Sequence, residues 1–311
     1  MSSHHQPVML TESLAGLNIK SSGIYVDATF GRGGHSQAIL KQLSEHGQLI
    51  AFDQDQPAID YAKKHFQDTR LTLIHSAFNQ MYQQLSKRQL LGKIDGVLMD
   101  LGVSSPQLED AQRGFSFYTD GPLDMRMNQT QGVSVATWLL SANEREIAEV
   151  LYQFGEERKS RQIAHAIKQY QHNQALETTQ QLAKIITGVV KHEKNKHPAT
   201  RSFQAMRIFI NQELQQLTAA LQQSIDLLAP TGRLCVISFH SVEDRLVKRF
   251  IRQNSQAKPL PKGLPIITNQ ATNTVFRNLG KSFPSEAELS RNRRCRSAIL
   301  RVAERTSFRG A

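Results

Sequence analysis

A glycine-rich loop flanked by two acids is the clearest chemical feature of the sequence. Gly31, Gly33 and Gly34 follow a short apolar run. Asp27 stands four residues before the first of these glycines, and Asp53 stands 22 residues after it. Glycines permit a sharp turn and let a ligand approach the backbone. An acid about 20 residues after such a loop can accept hydrogen bonds from ribose hydroxyls. The pattern predicts a site for a ribose-bearing cofactor.

Two classes of cofactor compete for this loop. A dinucleotide loop would read G-x-G-x-x-G, but the third glycine position is occupied by Ser36. Asp27 would be a poor neighbour for a pyrophosphate, whereas it suits the ammonium group of S-adenosylmethionine, which carries no phosphate. The residues therefore favour S-adenosylmethionine over a dinucleotide and over a glycine turn with only a structural role.

A second chemical segment begins at Asp100, after another apolar run, and contains Ser104, Ser105 and Pro106. In a methyltransferase the acceptor atom would meet the methyl group at this point. Asp100, Ser105 or the backbone carbonyls near Pro106 could hold the hydrogens of an exocyclic amine and orient its lone pair. We interpret these four residues as candidate catalytic residues. The alternatives are a capping role for Asp100 and a simple turn at the two serines.

The two cysteines, Cys235 and Cys295, limit the chemistry. Methylation at a ring carbon of cytosine usually proceeds through a cysteine adduct, and neither residue follows a strand in a Pro-Cys or Thr-Cys loop. A nitrogen or oxygen acceptor is therefore favoured. No pair of cysteines has the spacing of a metal site, so no metal is expected.

The elements that must position these residues alternate between short apolar strands and helical segments. Such alternation predicts an α/β fold with a mostly parallel sheet, whose strands end at one edge. Strands are predicted at 23–30, 48–53, 71–75, 94–100, 233–239 and 297–302, with an irregular connection at 258–283. About a hundred residues between them show helical periodicity only. We predict a split α/β domain over 1–104 and 206–311, with a helical substrate-recognition domain inserted at 105–205.

The charge balance points to a polyanionic partner. The 311 residues include 38 Lys or Arg and 27 Asp or Glu, which gives a net charge of +11. Such an excess favours nucleic acid or an anionic surface. Apolar runs are too short to span a membrane, and the polar N-terminus is not a secretory signal, so a cytoplasmic protein is expected. The candidate substrate-binding residues are His240, Lys191, Lys194, Arg291, Arg293 and Arg294. Their alternatives are a capped structural histidine and solvated basic faces.

Six segments together resemble the bacterial 16S rRNA cytosine-N4 methyltransferase family (MraW/RsmH). They are Thr29–His35, Asp100–Gln107, Arg113–Phe117, Gly121–Met127, His197–Gln204 and Ile237–Ser241, and the likeness runs from residue 8 to residue 306. The resemblance implies a class I S-adenosylmethionine-dependent methyltransferase fold with an inserted helical domain. It implies methylation of N4 of cytosine 1402 in the small ribosomal subunit, and it is compatible with a homodimer. The implied cofactor contacts are Gly33, Gly34, His35, Asp53, Phe78, Asp100 and Gln107.

Overall fold

The computed structural model describes residues 7–191, 197–256 and 274–308. The chain divides into two compact units. The first contains residues up to 102 and from 216 onward, and the second contains residues 103–215. These limits lie two and ten residues from the domain limits expected from the sequence.

In the first unit the described helices alternate with strands. In the second unit the described residues form helices and no strand. The α-helices are α1 (Leu10–Leu17), α2 (Gly34–Leu40), α3 (Gln56–His65), α4 (Met81–Ser86), α5 (Ser105–Glu109), α6 (Val135–Ser141), α7 (Glu144–Gly155), α8 (Ser160–Asn173), α9 (Thr179–Val189), α10 (Thr200–Ile210), α11 (Glu213–Leu227), α12 (Ser241–Ser255) and α13 (Glu286–Arg291). The strands are β1 (Ile24–Asp27), β2 (Gln48–Asp53), β3 (Leu71–His75), β4 (Ile94–Asp100), β5 (Leu228–Ser238), β6 (Phe276–Ser282) and β7 (Ile299–Arg305).

The seven strands of the first unit form one sheet in the order β3-β2-β1-β4-β5-β7-β6. Strands β1 to β5 pair in parallel, and β7 runs antiparallel to both of its neighbours. The predicted α/β class with a mostly parallel sheet is confirmed. Because the chain leaves β1 toward β2 and later returns to β4 on its other side, the strand order reverses between β1 and β4, where ligands bind in such sheets.

Strand β6 corrects the sequence interpretation, which placed 276–282 within an irregular connection. The strand pairs only with β7 and forms an edge of the sheet. Phe276 is buried, and the remaining six residues are exposed. A strand buried at one residue leaves no alternating apolar pattern to detect, so periodicity could not find it.

The sheet is apolar on both faces, as expected for parallel strands covered by helices. On one face Val26, Val97 and Met99 pack in a core with α11 and α12 residues such as Leu221 and Val247. On the other face Tyr25 and Leu98 pack with Leu17 of α1 and with Ile39 of α2. Burial on both faces fixes the strand register, and the register fixes which residues stand at the strand ends.

The second unit has a core of its own, built from helices. Its helices bury apolar side chains in one cluster, among them Ile147, Leu151, Ile163, Leu182 and Ile186. Trp138 is 9% exposed and packs in the same cluster. Within this unit the described residues form no strand beyond an isolated bridge between Pro122 and Thr178.

Candidate active site

Three acids lie side by side at the edge of the sheet where the parallel strands end. Asp27 ends β1, Asp53 ends β2 and Asp100 ends β4. Because β1 lies between β2 and β4, the three carboxylates occupy neighbouring strands at the point where the strand order reverses. The structure thus brings together three of the acids that the sequence singled out.

The glycine loop connects β1 to α2 and is attached to the second acid. Gly31 and Gly33 have φ angles of 56° and 74°, which favour glycine. The backbone N–H of Gly31 donates to Oδ2 of Asp53 over 2.7 Å. A Cβ atom on Gly33 would collide with the rings of Phe66 and Phe30. Packing inside the protein therefore accounts for Gly33 in addition to any approach of a ligand.

Asp53 is arranged as an acceptor of hydrogen bonds. Its Oδ1 accepts from the backbone N–H of Asp55 over 2.8 Å, and its Oδ2 accepts from Gly31. Burial raises the pKa of Asp53 to about 6, although these two hydrogen bonds act in the opposite direction. Each carboxylate oxygen has a second lone pair, so Asp53 can still accept from ribose hydroxyls.

Asp27 is 1% exposed and is satisfied by the loop that follows it. Its Oδ2 accepts from the Ser36 hydroxyl over 2.6 Å, and its Oδ1 accepts from the Thr29 backbone N–H over 3.1 Å. Burial raises the pKa of Asp27, and the Ser36 hydrogen bond opposes this. The serine that breaks the dinucleotide pattern therefore binds the acid that precedes the loop.

The side chains of His35 and Asp100 lie close together at this edge of the sheet. His35 is 5% exposed, and its Nε2 lies 3.5 Å from Oδ2 of Asp100. Burial lowers the pKa of His35, but Asp100 and Asp27 raise it by more, so the net pKa is raised. The Asp100 backbone N–H donates to Oγ1 of Thr29 over 2.8 Å, which joins the end of β4 to the loop after β1. The other carboxylate oxygen, Oδ1 of Asp100, is buried and has no hydrogen-bond partner among the described residues.

Phe78 stands three residues after β3, in a short 3₁₀ turn over Phe78–Gln80. It is partly buried against the core that α11 and α12 cover. The resemblance implies a cofactor contact for Phe78, and a ring at the end of a parallel strand could flank the adenine of the cofactor. That contact stays a prediction.

The candidates that follow Asp100 in the chain belong to the second unit and serve local structure there. Ser104 is the N-cap of α5, and its backbone N–H donates to Oε1 of Gln107 over 2.9 Å in a capping box. Pro106 occupies the first turn, where its missing N–H has no consequence. Ser105 and Gln107 are each 7% exposed. Ser104 therefore has the structural role that the sequence left as an alternative to catalysis. Roles of these residues in catalysis or in cofactor binding stay predictions.

His240 is the N-cap of α12. Its Nδ1 accepts from the Glu243 backbone N–H over 3.4 Å, and its Nε2 lies 2.9 Å from Oε1 of Glu243. Oε2 of Glu243 accepts from the Phe239 N–H over 2.9 Å. The structure therefore shows the capped structural histidine that the sequence left as an alternative. A contact with substrate stays a prediction.

The predicted basic residues are described in part. Arg291 and Arg294 are exposed just before β7, and Lys191 is exposed after α9. Lys194 and the side chain of Arg293 lie outside the described residues.

Sequence reasoning missed two positioning side chains, which are Thr29 and Ser36. Each one binds an acid that the sequence did single out. Glu243 stands three residues after the N-cap His240, which is the spacing of a capping box.

Neither a metal centre nor a membrane span is found in the part of the chain that the structure describes. Its His, Cys, Asp and Glu residues form no group of three or more that could hold a metal ion. None of its helices is both long and apolar enough to cross a bilayer.

A doubly wound seven-strand sheet with an antiparallel β7 and with acids at its reversal point is the arrangement of the class I S-adenosylmethionine-dependent methyltransferase fold. The comparison with protein families agrees, because the model of the MraW methylase family matches residues 2–306. The chain belongs to this family, and S-adenosylmethionine is its cofactor.

Two curated relatives and one solved structure illustrate the similarity. The chain is 64% identical over 305 residues to the ribosomal RNA small subunit methyltransferase H of Vesicomyosocius okutanii, covering 98% of this chain and 99% of the relative. It is 52% identical over 304 residues to the protein of the same name from Shewanella woodyi, covering 97% of each. The structure of an rRNA methylase from Streptococcus thermophilus aligns with 12% identity and a TM-score of 0.43, covering 98% of this chain and 100% of that one.

Proposed function

We propose that this protein transfers a methyl group from S-adenosylmethionine to the exocyclic N4 amine of cytosine 1402 in 16S rRNA of the small ribosomal subunit. Membership of the MraW methylase family supports methyl transfer, and the names of the relatives support the small-subunit RNA as substrate. One structural observation supports an amine as the methyl acceptor. Oδ1 of Asp100 is a buried carboxylate oxygen at the sheet edge that has no hydrogen-bond partner in the described chain.

The residues at the edge fit this cofactor. The cofactor supplies, when bound, a methyl group made electrophilic by a positively charged sulfur. Carboxylates of Asp53 and Asp100 are compatible with hydroxyl and cationic groups, and a phosphate would be repelled by them. A buried oxygen such as Oδ1 of Asp100 is costly without a partner, so a ligand that donates to it is stabilised. The proposed cofactor contacts are Asp27, Gly31, Gly33, Gly34, His35, Asp53, Phe78, Asp100 and Gln107.

Asp100 has the chemistry that an amine acceptor requires. The lone pair of an exocyclic amine is delocalised into the base, and an acceptor that holds one of its hydrogens orients the nitrogen for attack. Aligning the reacting atoms at about 3–3.5 Å is a large part of such catalysis. We assign this role to Asp100, with Ser104, Ser105 and Pro106, which follow it in the chain, as further candidates.

The cysteines support nitrogen as the acceptor. Cys235 is fully buried within β5, and burial raises the pKa of its thiol to about 12. Cys295 is also fully buried, and its thiol donates to the Asn292 carbonyl. An adduct with a base needs an accessible thiolate, and neither side chain offers one.

A transfer assay with competing acceptors tests the proposal. Purified protein with labelled S-adenosylmethionine is incubated separately with small subunits that lack the modification, with double-stranded DNA and with a protein extract. We expect label on the 16S rRNA of the small subunits. Because the proposed substrate is ribosomal RNA, we propose a cytoplasmic location for the enzyme. Label on DNA or on protein would overturn the substrate assignment.

A further inference from the structure

The acidic side chains of helix α12 point into the protein, and its basic side chains are exposed. Its two acids are engaged within the protein. Glu243 is 2% exposed and lies against His240, and Asp244 forms a two-point ion pair with Arg301 of β7 at 2.7 and 3.0 Å. Its four basic residues are all exposed, namely Arg245, Lys248, Arg249 and Arg252. The outer face of the helix is thus uniformly positive.

The spacing of these basic residues is unfavourable for a helix by itself. They stand three or four positions apart, where side chains are neighbours and like charges destabilise the helix. The acids of α12 do not compensate Lys248 and Arg249, because both acids already have other partners. The side chains of Lys248 and Arg249 form no hydrogen bond or ion pair with any other residue that the structure describes. A ligand with several negative charges would relieve this repulsion.

The positive surface continues onto the end of β6. Lys281 pairs in register with Arg301, whose side chain reaches α12, so Lys281 lies on the face of the sheet that α12 covers. Its ammonium group lies 4.7 Å from the centre of the Phe283 ring, and Phe283 is 54% exposed. Cations beside an exposed ring are typical of surfaces that bind single-stranded nucleic acid, since the ring can stack on a base.

The register also places the β6 end of this surface, with Lys281 and Phe283, at the edge of the sheet that holds Asp100. Ser282 of β6 pairs with Leu300, and Ser238 at the end of β5 pairs with Ile299, so both strand ends lie at the same edge. Three strand spacings separate β4 from β6, which is roughly 14 Å. A strand of RNA whose target base lies at Asp100 would reach this surface with its flanking nucleotides.

We propose that the exposed face of α12, together with Lys281 and Phe283, binds the phosphate backbone of the RNA strand next to the target cytosine. The proposal rests on the RNA substrate proposed above. Anionic lipid is the other polyanion that such a surface would attract, but an exposed ring at the active edge and proximity to Asp100 favour RNA.

The test neutralises two cations that have no partner in the described structure, in the double variant Lys248→Gln/Arg249→Gln. The matched control is Lys63→Gln/Lys64→Gln, which removes the same charge from the exposed last turn of α3. We measure filter binding to a single-stranded RNA spanning the target cytosine at several salt concentrations, and co-sedimentation with vesicles of anionic phospholipid. We also measure kcat and KM on small subunits. Calorimetry with S-adenosylmethionine verifies that the cofactor site is intact.

We expect the α12 variant to bind the RNA about tenfold more weakly, with a salt slope lower by about 1–2. KM for small subunits should rise by a similar factor, while kcat and cofactor affinity stay within twofold of wild type. The proposal is overturned if both variants lose equal affinity, or if the α12 variant loses binding only to vesicles of anionic phospholipid. The RNA-binding measurement is independent of turnover, so it remains informative even if small subunits prove not to be the methyl acceptor.

Discussion

The imidazole Nε2 of His35 lies 3.5 Å from the carboxylate Oδ2 of Asp100, although 65 residues separate them in the chain. The distance is long for a hydrogen bond and suits an ion pair. His35 begins the helix after the glycine loop, and Asp100 ends β4, so the parallel pairing of β1 and β4 creates the contact. His35 is thereby a positioning residue for the carboxylate assigned to the amine.

Replacing His35 by Gln should therefore change both stability and its dependence on pH. The raised pKa of His35 means that the folded state favours the protonated ring. The contribution of the pair is fully present below the ordinary pKa of 6.5 and is lost as the pH rises through the raised value. We expect the variant to lose about 1–3 kcal/mol at pH 6 and less at pH 9, measured by urea unfolding. A loss that is the same at both pH values would contradict the ion pair.

Replacing Asp100 by Ala should abolish methyl transfer, with a fall in kcat of about a hundredfold or more. Asp95→Ala is the matched control, because Asp95 stands on the same strand, where its carboxylate binds Lys20 and the Ile24 N–H. We expect the control to lose stability but to keep kcat within severalfold, measured with labelled cofactor on small subunits. Wild-type turnover in Asp100→Ala would refute the catalytic assignment.

Asp53 should make the stability of the protein decrease between pH 4 and pH 7. Its pKa in the folded state is about 6, above the ordinary value of 3.8, so the folded state binds the extra proton in this range. Its contribution is present below pH 4 and is lost as the pH rises through 6. In Asp53→Asn this loss is absent, and the free energy of unfolding relative to wild type should rise by about 2 kcal/mol from pH 4 to pH 7.

The same variant should bind S-adenosylmethionine more weakly, since an amide offers fewer acceptor sites to ribose hydroxyls. Calorimetry at pH 7.5 measures this difference. Equal cofactor affinity in wild type and Asp53→Asn would exclude Asp53 from the site.

Alanine substitutions at Gly33 and Gly92 distinguish the stability cost of overpacking from the cost of a left-handed backbone conformation. Both have positive φ, at 74° and 68°, but an added Cβ on Gly92 has no atom within 4 Å, whereas on Gly33 it would meet two aromatic rings. Gly92→Ala should cost about 1–2 kcal/mol for the left-handed conformation. Gly33→Ala should cost about 1–3 kcal/mol more through overpacking. Equal losses in thermal or urea unfolding would show that the rings near Gly33 move aside freely.

The sequence predicted the acids at the sheet edge because their positions depend on a local pattern. An apolar run that ends in an acid predicts a strand end, and parallel strands place those ends together. Asp53 and Asp100 were found in this way, whereas Asp27 was found by its position four residues before the glycine loop. The contact between His35 and Asp100 could not be predicted, since it depends on the order of the strands and not on spacing within the chain.

Two other features show where sequence patterns were insufficient. Strand β6 is exposed except at Phe276, so it lacks the alternation by which strands are recognised. The positive face of α12 was hidden because its sequence also contains Glu243 and Asp244, and only the fold shows that both acids turn inward. Net charge indicated a polyanionic partner but not the surface that would bind it.

The most direct test of the central claim is the identity and position of the methylated nucleoside. Small subunits lacking the modification are incubated with the protein and S-adenosylmethionine, and the 16S rRNA is digested with nucleases and sequenced by mass spectrometry. We predict one added methyl group, present as N4-methylcytidine at position 1402 and absent when Asp100→Ala is used. A methyl group on carbon 5, on a ribose or on another nucleotide would contradict the assignment of Asp100 to an exocyclic amine.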